Sequence, residues 1–384
     1  MNFIKKFFLV TLLLCISSCT QAKTSQKTSN SENSEVIRLS SNFIREKITD
    51  NLYILKSKNY NTNIGVFIGE KDLLLIDPMA GNNKHQDLLN AIKQLSNKPI
   101  KYVLNTHNHL DHSGANSFFS ELGATIISQE NVKYTNTKYD TTFKESYSID
   151  MGNDVIEINH HIAHTFDDAL IYFTKSNTVF MGDTFMTNSF PHFYYGGGSK
   201  GHLDILDNAL ALGNENTIIV PAHGNLTSNK KELNEYKLNS VLWSNRIKEL
   251  HDSGKTANAI SEDDTIKALS LTFNGTNGSS KQRLIQTIEK TISVNLVLGI
   301  KLSKAILKKY EGTYTYENGN TDELILLNGI LFLRREGAYM YELAPLSETK
   351  FHIKGQAPYR HLTMNSSGKG FVYFNGKENL NANK

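Results

Sequence analysis

Seven residues constrain this chain more than any others: Thr106-His107-Asn108-His109-Leu110-Asp111-His112, directly behind the apolar run Ile100–Leu104. They put three imidazoles and a carboxylate within six positions. Imidazole suits zinc and its neighbours, and a carboxylate adds a hard oxygen donor. In an extended segment His107, His109 and Asp111 project to one side, because side chains alternate along a strand. A lone His-x-His is commonplace on a protein surface. The complete HxHxDH string is not explained that way.

Around this string, short apolar runs alternate with amphipathic stretches. Leu52–Leu55, Gly65–Ile68, Leu73–Ile76, Ile100–Leu104, Thr125–Ser128, Leu170–Phe173, Val179–Met181 and Ile218–Val220 read as strands. His85–Leu95, Asn116–Leu122, Lys230–Leu250 and Lys281–Leu298 read as helices from their apolar spacing. Such alternation predicts an α/β architecture with helices outside the sheets. Three further segments carry metal-capable residues: Ala163-His164-Thr165, Met181-Gly182-Asp183-Thr184 and Pro221-Ala222-His223-Gly224. Singly, His164 could be a satisfied loop histidine and Asp183 a turn cap.

Taken in the order HxHxDH, HT, GD, AHG, residues 42–230 resemble the metallo-β-lactamase superfamily. The resemblance implies a four-layer αββα sandwich, with a metal site at the edge where loops from both sheets converge. It assigns one ion to His107, His109 and His164, and a second to Asp111, His112 and His223, with Asp183 bridging. Two divalent ions are therefore expected, zinc foremost. Asp77, ending Leu73–Ile76, matches the carboxylate that holds the N–H of a ligating histidine, with an N-cap or turn aspartate before Pro78 as the alternative.

Two divalent ions, two aspartates and a hydroxide leave a small positive charge, and bound water can ionise near pH 7. The function this implies is a metal-dependent hydrolase using a metal-bound hydroxide on an ester, thioester, lactone or amide-type carbonyl of a small molecule. Asp111 would orient the hydroxide and receive a proton. The best-known zinc β-lactamases of the family carry cysteine or serine where Asp183 stands, and aspartate there resembles the thioesterases, lactonases and phosphodiesterases. A true β-lactamase and a non-catalytic metal-binding scaffold are the alternatives. The aromatic, glycine-containing segment from Asn188 to His202 is expected to line an apolar cleft with a mobile rim, Tyr194 or Tyr195 donating to an oxyanion; aromatic packing is the alternative there. His85, His160, His161, His192, His202 and His251 are left without a role.

The two ends differ in character. Lys5 and Lys6, the apolar run Phe7–Ile16 and Ile16-Ser17-Ser18-Cys19 read as a secretory signal over 1–18 that ends in a bacterial lipobox-like sequence. Acylation of Cys19 would tie the protein to the cell envelope through an N-terminal lipid, at the outer membrane facing the periplasm. Cleavage removes two of 41 basic residues and none of 38 acids, so the mature chain is nearly neutral and lacks the basic stripe of a nucleic-acid binder. It also removes Cys15, leaving Cys19 as the one cysteine and no internal disulfide. Polar residues 19–41 read as a tether and 42–302 as the hydrolase domain with trailing helices. Residues 303–384, with aromatic-rich runs such as Tyr310–Tyr316, read as a small β-rich domain concerned with stability, oligomerisation or substrate access. The sequence carries no signal for oligomeric state.

Overall fold

The computed structural model describes residues 37–40, 42–275, 278–335 and 339–384. The signal-like segment, Cys19 and most of the tether lie outside the described residues. The first sheet runs in sequence order: β1 (Ile37–Ser40), β2 (Phe43–Lys47), β3 (Leu52–Ser57), β4 (Tyr60–Ile68), β5 (Leu73–Ile76), β6 (Ile100–Leu104), β7 (Thr125–Gln129) and β8 (Thr141–Phe143). It is antiparallel to β5 and parallel from there on. Strand β1 falls inside the span read as tether; Ile37 and Leu39 alternate with polar residues, and Ile37 pairs with Arg45.

The second sheet contains β9 (Ser146–Asp150), β10 (Val155–His161), β11 (Asp168–Phe173), β12 (Thr178–Phe180), β13 (Ile218–Val220) and β14 (Ser228–Asn229). The helices are α1 (His85–Lys93), α2 (Leu110–Ser113), α3 (Asn116–Glu121), α4 (Gly198–Ala211), α5 (Lys230–Asp252), α6 (Ala257–Ile260), α7 (Asp264–Asn274), α8 (Lys281–Asn295) and α9 (Lys304–Tyr310).

Three stacked cores explain the layering. Leu73 and Leu75 join Leu88 and Ile92 of α1 and Phe119 of α3 in one of them. Their strand neighbours Leu74 and Ile76 point the other way, against Ile158, Ile171 and Phe173 of the second sheet. The far face of that sheet, with Leu170, Val179 and Ile219, is covered by Ile205 of α4, Trp243 and Ile247 of α5 and Ile288 of α8. Helix, sheet, sheet and helix are the four layers that the resemblance implies. A strand buried on both faces, such as Leu73–Ile76, reads as an unbroken apolar run for this reason.

The C-terminal strands β15 (Gly312–Tyr316), β16 (Thr321–Leu327), β17 (Ile330–Arg335), β18 (Tyr339–Pro345), β19 (Lys350–Ile353), β20 (His361–Met364), β21 (Gly370–Phe374) and β22 (Asn379–Asn383) close into a barrel with its own core around Tyr314, Leu333 and Phe351. The lead-in Lys304–Tyr310, read partly as strand, is α9, capped by Ser303 accepting from the Ile306 N–H.

The barrel meets α8 through a buried contact, Ser293 Oγ to His352 Nε2 at 2.7 Å. Burial holds the His352 imidazole down to about 4. The unfolded chain takes up this proton below about pH 6.5 and the folded chain does not, so stability is complete above 6.5 and declines towards 4. The ceiling on this contribution is about 3 kcal/mol. Melting curves between pH 8 and 5 should show a steeper loss of Tm for the wild type than for His352→Gln; parallel curves would contradict it.

Candidate metal centre

The described residues bring seven donors into two groups: His107, His109, His164 and Asp183, and Asp111, His112, Asp183 and His223. Within each group the ligand atoms all lie within 4.8 Å of one another. These are the seven residues named from sequence, in the same partition.

Each donor sits where a strand ends. The string follows β6, and Ala169 N–H donates to the Thr106 carbonyl at 2.7 Å, joining the loop that carries His164 to the one that carries His107. Asp183 follows β12 after Gly182, whose positive φ of 55° and close approach to Thr106 Oγ1 exclude a side chain. His223 follows β13. Asn63 at the start of β4 grips that loop, its N–H to Ala222 O at 2.8 Å and its amide to Pro221 O at 2.7 Å. The string itself differs from the extended reading. Leu110–Ser113 is a helical turn, so Asp111 leaves the row of His107 and His109 and stands beside His112 in the other group.

Asp183 faces both groups with separate oxygens. Its Oδ2 lies 3.5 Å from His164 Nε2, while Oδ1 lies 3.2 Å from His112 Nε2 and 3.1 Å from His223 Nε2. Asp111 Oδ2 is 3.3 Å from His223 Nε2. The outward nitrogens are held by oxygen acceptors: His112 Nδ1 by Asp77 Oδ2 at 2.9 Å, His164 Nδ1 by His192 O and His223 Nδ1 by Asn61 O, both at 2.9 Å. A proton on each Nδ1 leaves the Nε2 lone pair pointing inward. His107 Nε2 is buried with no hydrogen-bond partner, and His164 Nε2 meets His109 Nδ1 at 3.1 Å. Buried imidazole lone pairs converging with carboxylate oxygens fit divalent cations of the zinc type.

The electrostatics describe a cation-seeking hole. Burial keeps His109 neutral down to about 4, and His107 and His164 are likewise held well below the ordinary histidine value. Burial opposes charge on His112 and His223 too, but there the carboxylates win. Asp111, Asp77 and Asp183 push His112 well up, and Asp111 and Asp183 raise His223 to about 9. Asp183 stays charged against burial through His112, His192 and His223.

Sequence reasoning left several neighbours unmarked. Asp168 accepts from Thr165 N–H at 2.9 Å and Oγ1 at 2.8 Å, fixing the loop after His164; the signal was an acid three residues beyond the threonine. The His192 ring stacks on His164 with centroids 5.0 Å apart. The Asn188–His202 segment borders two cavities, Ser189 to Tyr194 one of them and Gly196 to Lys200 the other. Phe190, Phe193 and Tyr194 are core residues, and Gly198 to His202 begins α4. A side chain at Gly196 or Gly197 would strike the carbonyls of Thr165 and Ile162. Tyr195, rather than Tyr194, stands over the donors, its ring 5.4 Å from His109. Beside His192 a polar cavity of about 260 Å³ is lined by Ser189, Arg283, Gln286 and Lys290. Burial, Arg360 and Arg283 lower the Lys290 ammonium, which lies 5.4 Å from the Tyr194 ring centroid.

Residues 58–223 match the family model of the Metallo-beta-lactamase superfamily. The chain carries a metallo-β-lactamase superfamily domain. It is 26% identical over 149 residues to a protein named metallo-beta-lactamase type 2 from Elizabethkingia meningoseptica, across 36% of this chain and 60% of that protein. It is 32% identical over 143 residues to the "Probable hydroxyacylglutathione hydrolase" of Schizosaccharomyces pombe, across 36% of this chain and 55% of that protein. The chain thus spans less than two thirds of either relative. Among solved structures, a metallo-beta-lactamase from Pontibacter korlensis aligns with a TM-score of 0.47 at 19% identity, over 51% of this chain and 97% of that one. The family match ends at His223, so the covering helices from α5 onward and the barrel lie beyond the matched segment.

Proposed function

We propose that this protein is a hydrolase dependent on two divalent ions, zinc foremost, acting on an ester, thioester, lactone or amide-type carbonyl of a small molecule. The observation that carries the reading is the Asp183 carboxylate, whose two oxygens face two separate donor groups. His107, His109 and His164 would hold one ion, and Asp111, His112 and His223 the other. Bound ions of this type supply Lewis acidity and lower the pKa of water to about 7. The protein's own part is positional. Asp77, Asn61 O and His192 O fix the imidazole tautomers. Asp111 Oδ2, on a side chain 36% exposed, is the group open to receive a proton from the attacking water. Tyr195 covers the first donor group against bulk solvent.

A β-lactamase is the second reading. Arg283 and Lys290, beside His192, offer a cationic pocket for the carboxylate that β-lactams carry. One panel separates the readings: lactones, thioesters, β-lactams and phosphodiesters, with and without chelator, on protein of known metal content. Turnover of thioesters or lactones that vanishes with chelator is expected. Turnover confined to β-lactams would favour the second reading, and no turnover by metal-loaded protein would leave a metal-binding scaffold.

The same reading includes export and an N-terminal lipid. Cys19→Ser should move the protein from the membrane to the soluble periplasmic fraction. Identical fractionation of variant and wild type would refute the anchor.

A further inference from the structure

We infer that the barrel supplies the far wall of the substrate site, and that this wall receives an apolar acyl chain attached to the scissile carbonyl. The inference rests on the hydrolase reading above and names its substrate class. A cavity of about 490 Å³ opens between the metallo-β-lactamase domain and strands β16–β18 of the barrel. That volume lies within the range of small-molecule pockets. Ile162 and Phe166 form one side, and Leu327, Ile330, Phe332 and Met340 form the other. Ile162 is 50% exposed and Ile330 42%, so two bulky apolar side chains from different domains stand in water around one opening.

The wall is held in place. Phe332 meets Phe166 edge-on at 4.9 Å, Tyr341 meets Tyr195 at 5.7 Å, and the Arg334 guanidinium donates to Tyr134 O at 3.1 Å. The cavity lies against the donor side, behind a thin wall. Asn131, Phe166 and Met340 border both the cavity and a narrow gap of about 10 Å³ against His109, Thr165 and Tyr195. The unbranched, flexible Met340 sits at this junction and can shift to admit a chain. The charges on the walls are internally matched: Glu342 pairs with Lys354 at 2.7 Å, and Lys200 with Asp204 at 2.6 Å. The rest of the polar lining, including Asn131, Ser199, Asn295 and Asn328, is uncharged, and the apolar wall is the face made by Ile162, Phe166, Leu327, Ile330, Phe332 and Met340.

The test is chain length, measured on the full-length, metal-loaded protein with acyl thioesters from acetyl to dodecanoyl. Each methylene buried is worth about 0.8 kcal/mol, or about fourfold in kcat/KM, until the cavity is full. Phe332→Ala and Ile162→Ser should flatten that rise. The slope is a ratio between substrates within one protein, so it does not depend on how much activity a variant keeps. Ile162→Ser, half exposed at the mouth, keeps the test open should Phe332→Ala loosen the barrel. Calorimetric binding of the corresponding free carboxylic acids gives a second readout, with heat capacity falling further as the chain lengthens. A flat wild-type profile with active short substrates, or a slope untouched by both variants, would overturn the inference and leave the hydrolase reading standing. Absence of all turnover would sink the hydrolase reading instead, and the acid-binding series would then decide the pocket: affinity rising with length supports it and constant affinity overturns it.

Discussion

Asp183→Ala is expected to empty both donor groups at once and to abolish chelator-sensitive turnover. Losing a mere outer partner of a ligand costs about 10–100-fold in metal affinity. Asp183 is itself a member of both groups, so its loss should exceed that range on each side. The effect need not come through unfolding. In the metal-free protein Asp183 is a buried carboxylate close to Asp111, and removing one of two such charges relieves repulsion as well as breaking contacts with His112 and His223. The diagnostic readout is therefore stabilisation by metal. A ligand that binds only the folded state raises stability by RT ln(1 + [L]/Kd). Added zinc should raise the Tm of the wild type and leave that of Asp183→Ala nearly unchanged. An equal rise in both would remove the bridge from the account.

Asp77→Ala should be the next most damaging change, although Asp77 belongs to neither donor group. Its backbone φ of 46° lies in the left-handed region, which aspartate tolerates better than most residues. From there, 3% exposed, its carboxylate accepts from Thr106 N–H at 2.8 Å, Thr106 Oγ1 at 2.6 Å and His112 Nδ1 at 2.9 Å. Alanine would strand buried donors at about 1–3 kcal/mol each, a severe loss for one substitution. It would also free His112 to turn or change tautomer, lowering metal affinity about 10–100-fold. Asp77→Asn separates the two effects. It keeps the shape but sets an amide against a ring N–H, so metal binding should suffer more than folding. A fully metal-loaded Asp77→Asn with normal turnover would show that Asp77 is only a turn residue.

The strands legible in the sequence are short, mostly apolar runs, unbroken where both faces are buried as in Leu73–Ile76. Leu73–Ile76, Ile100–Leu104 and Ile218–Val220 end where the alternation predicts. The donors were legible because histidine and aspartate beside strand ends have few other uses in such density. What escaped was set by tertiary contact. Gly196–Gly198 and His202 look like loop residues, since glycine is a poor helix former. Gly196 and Gly197 are instead required by the carbonyls of Thr165 and Ile162, and α4 starts at Gly198, whose φ is 63°. Strand β9 is mostly exposed and polar, and Ser146–Asp150 shows no apolar stripe to betray it. Arg283 and Lys290 lie on α8, far along the chain from His192; a helix pattern marks them as surface, and only the fold turns that surface towards the metal centre.

A paired metal centre that performs hydrolysis is tested by metal content and turnover of the same purified wild-type sample, titrated with chelator and then with zinc. Close to two ions per chain are expected, with acyl-substrate hydrolysis lost as they leave and returning as they are restored. A folded protein that binds no transition metal, or that hydrolyses equally well without it, would rule out a metal-dependent hydrolase.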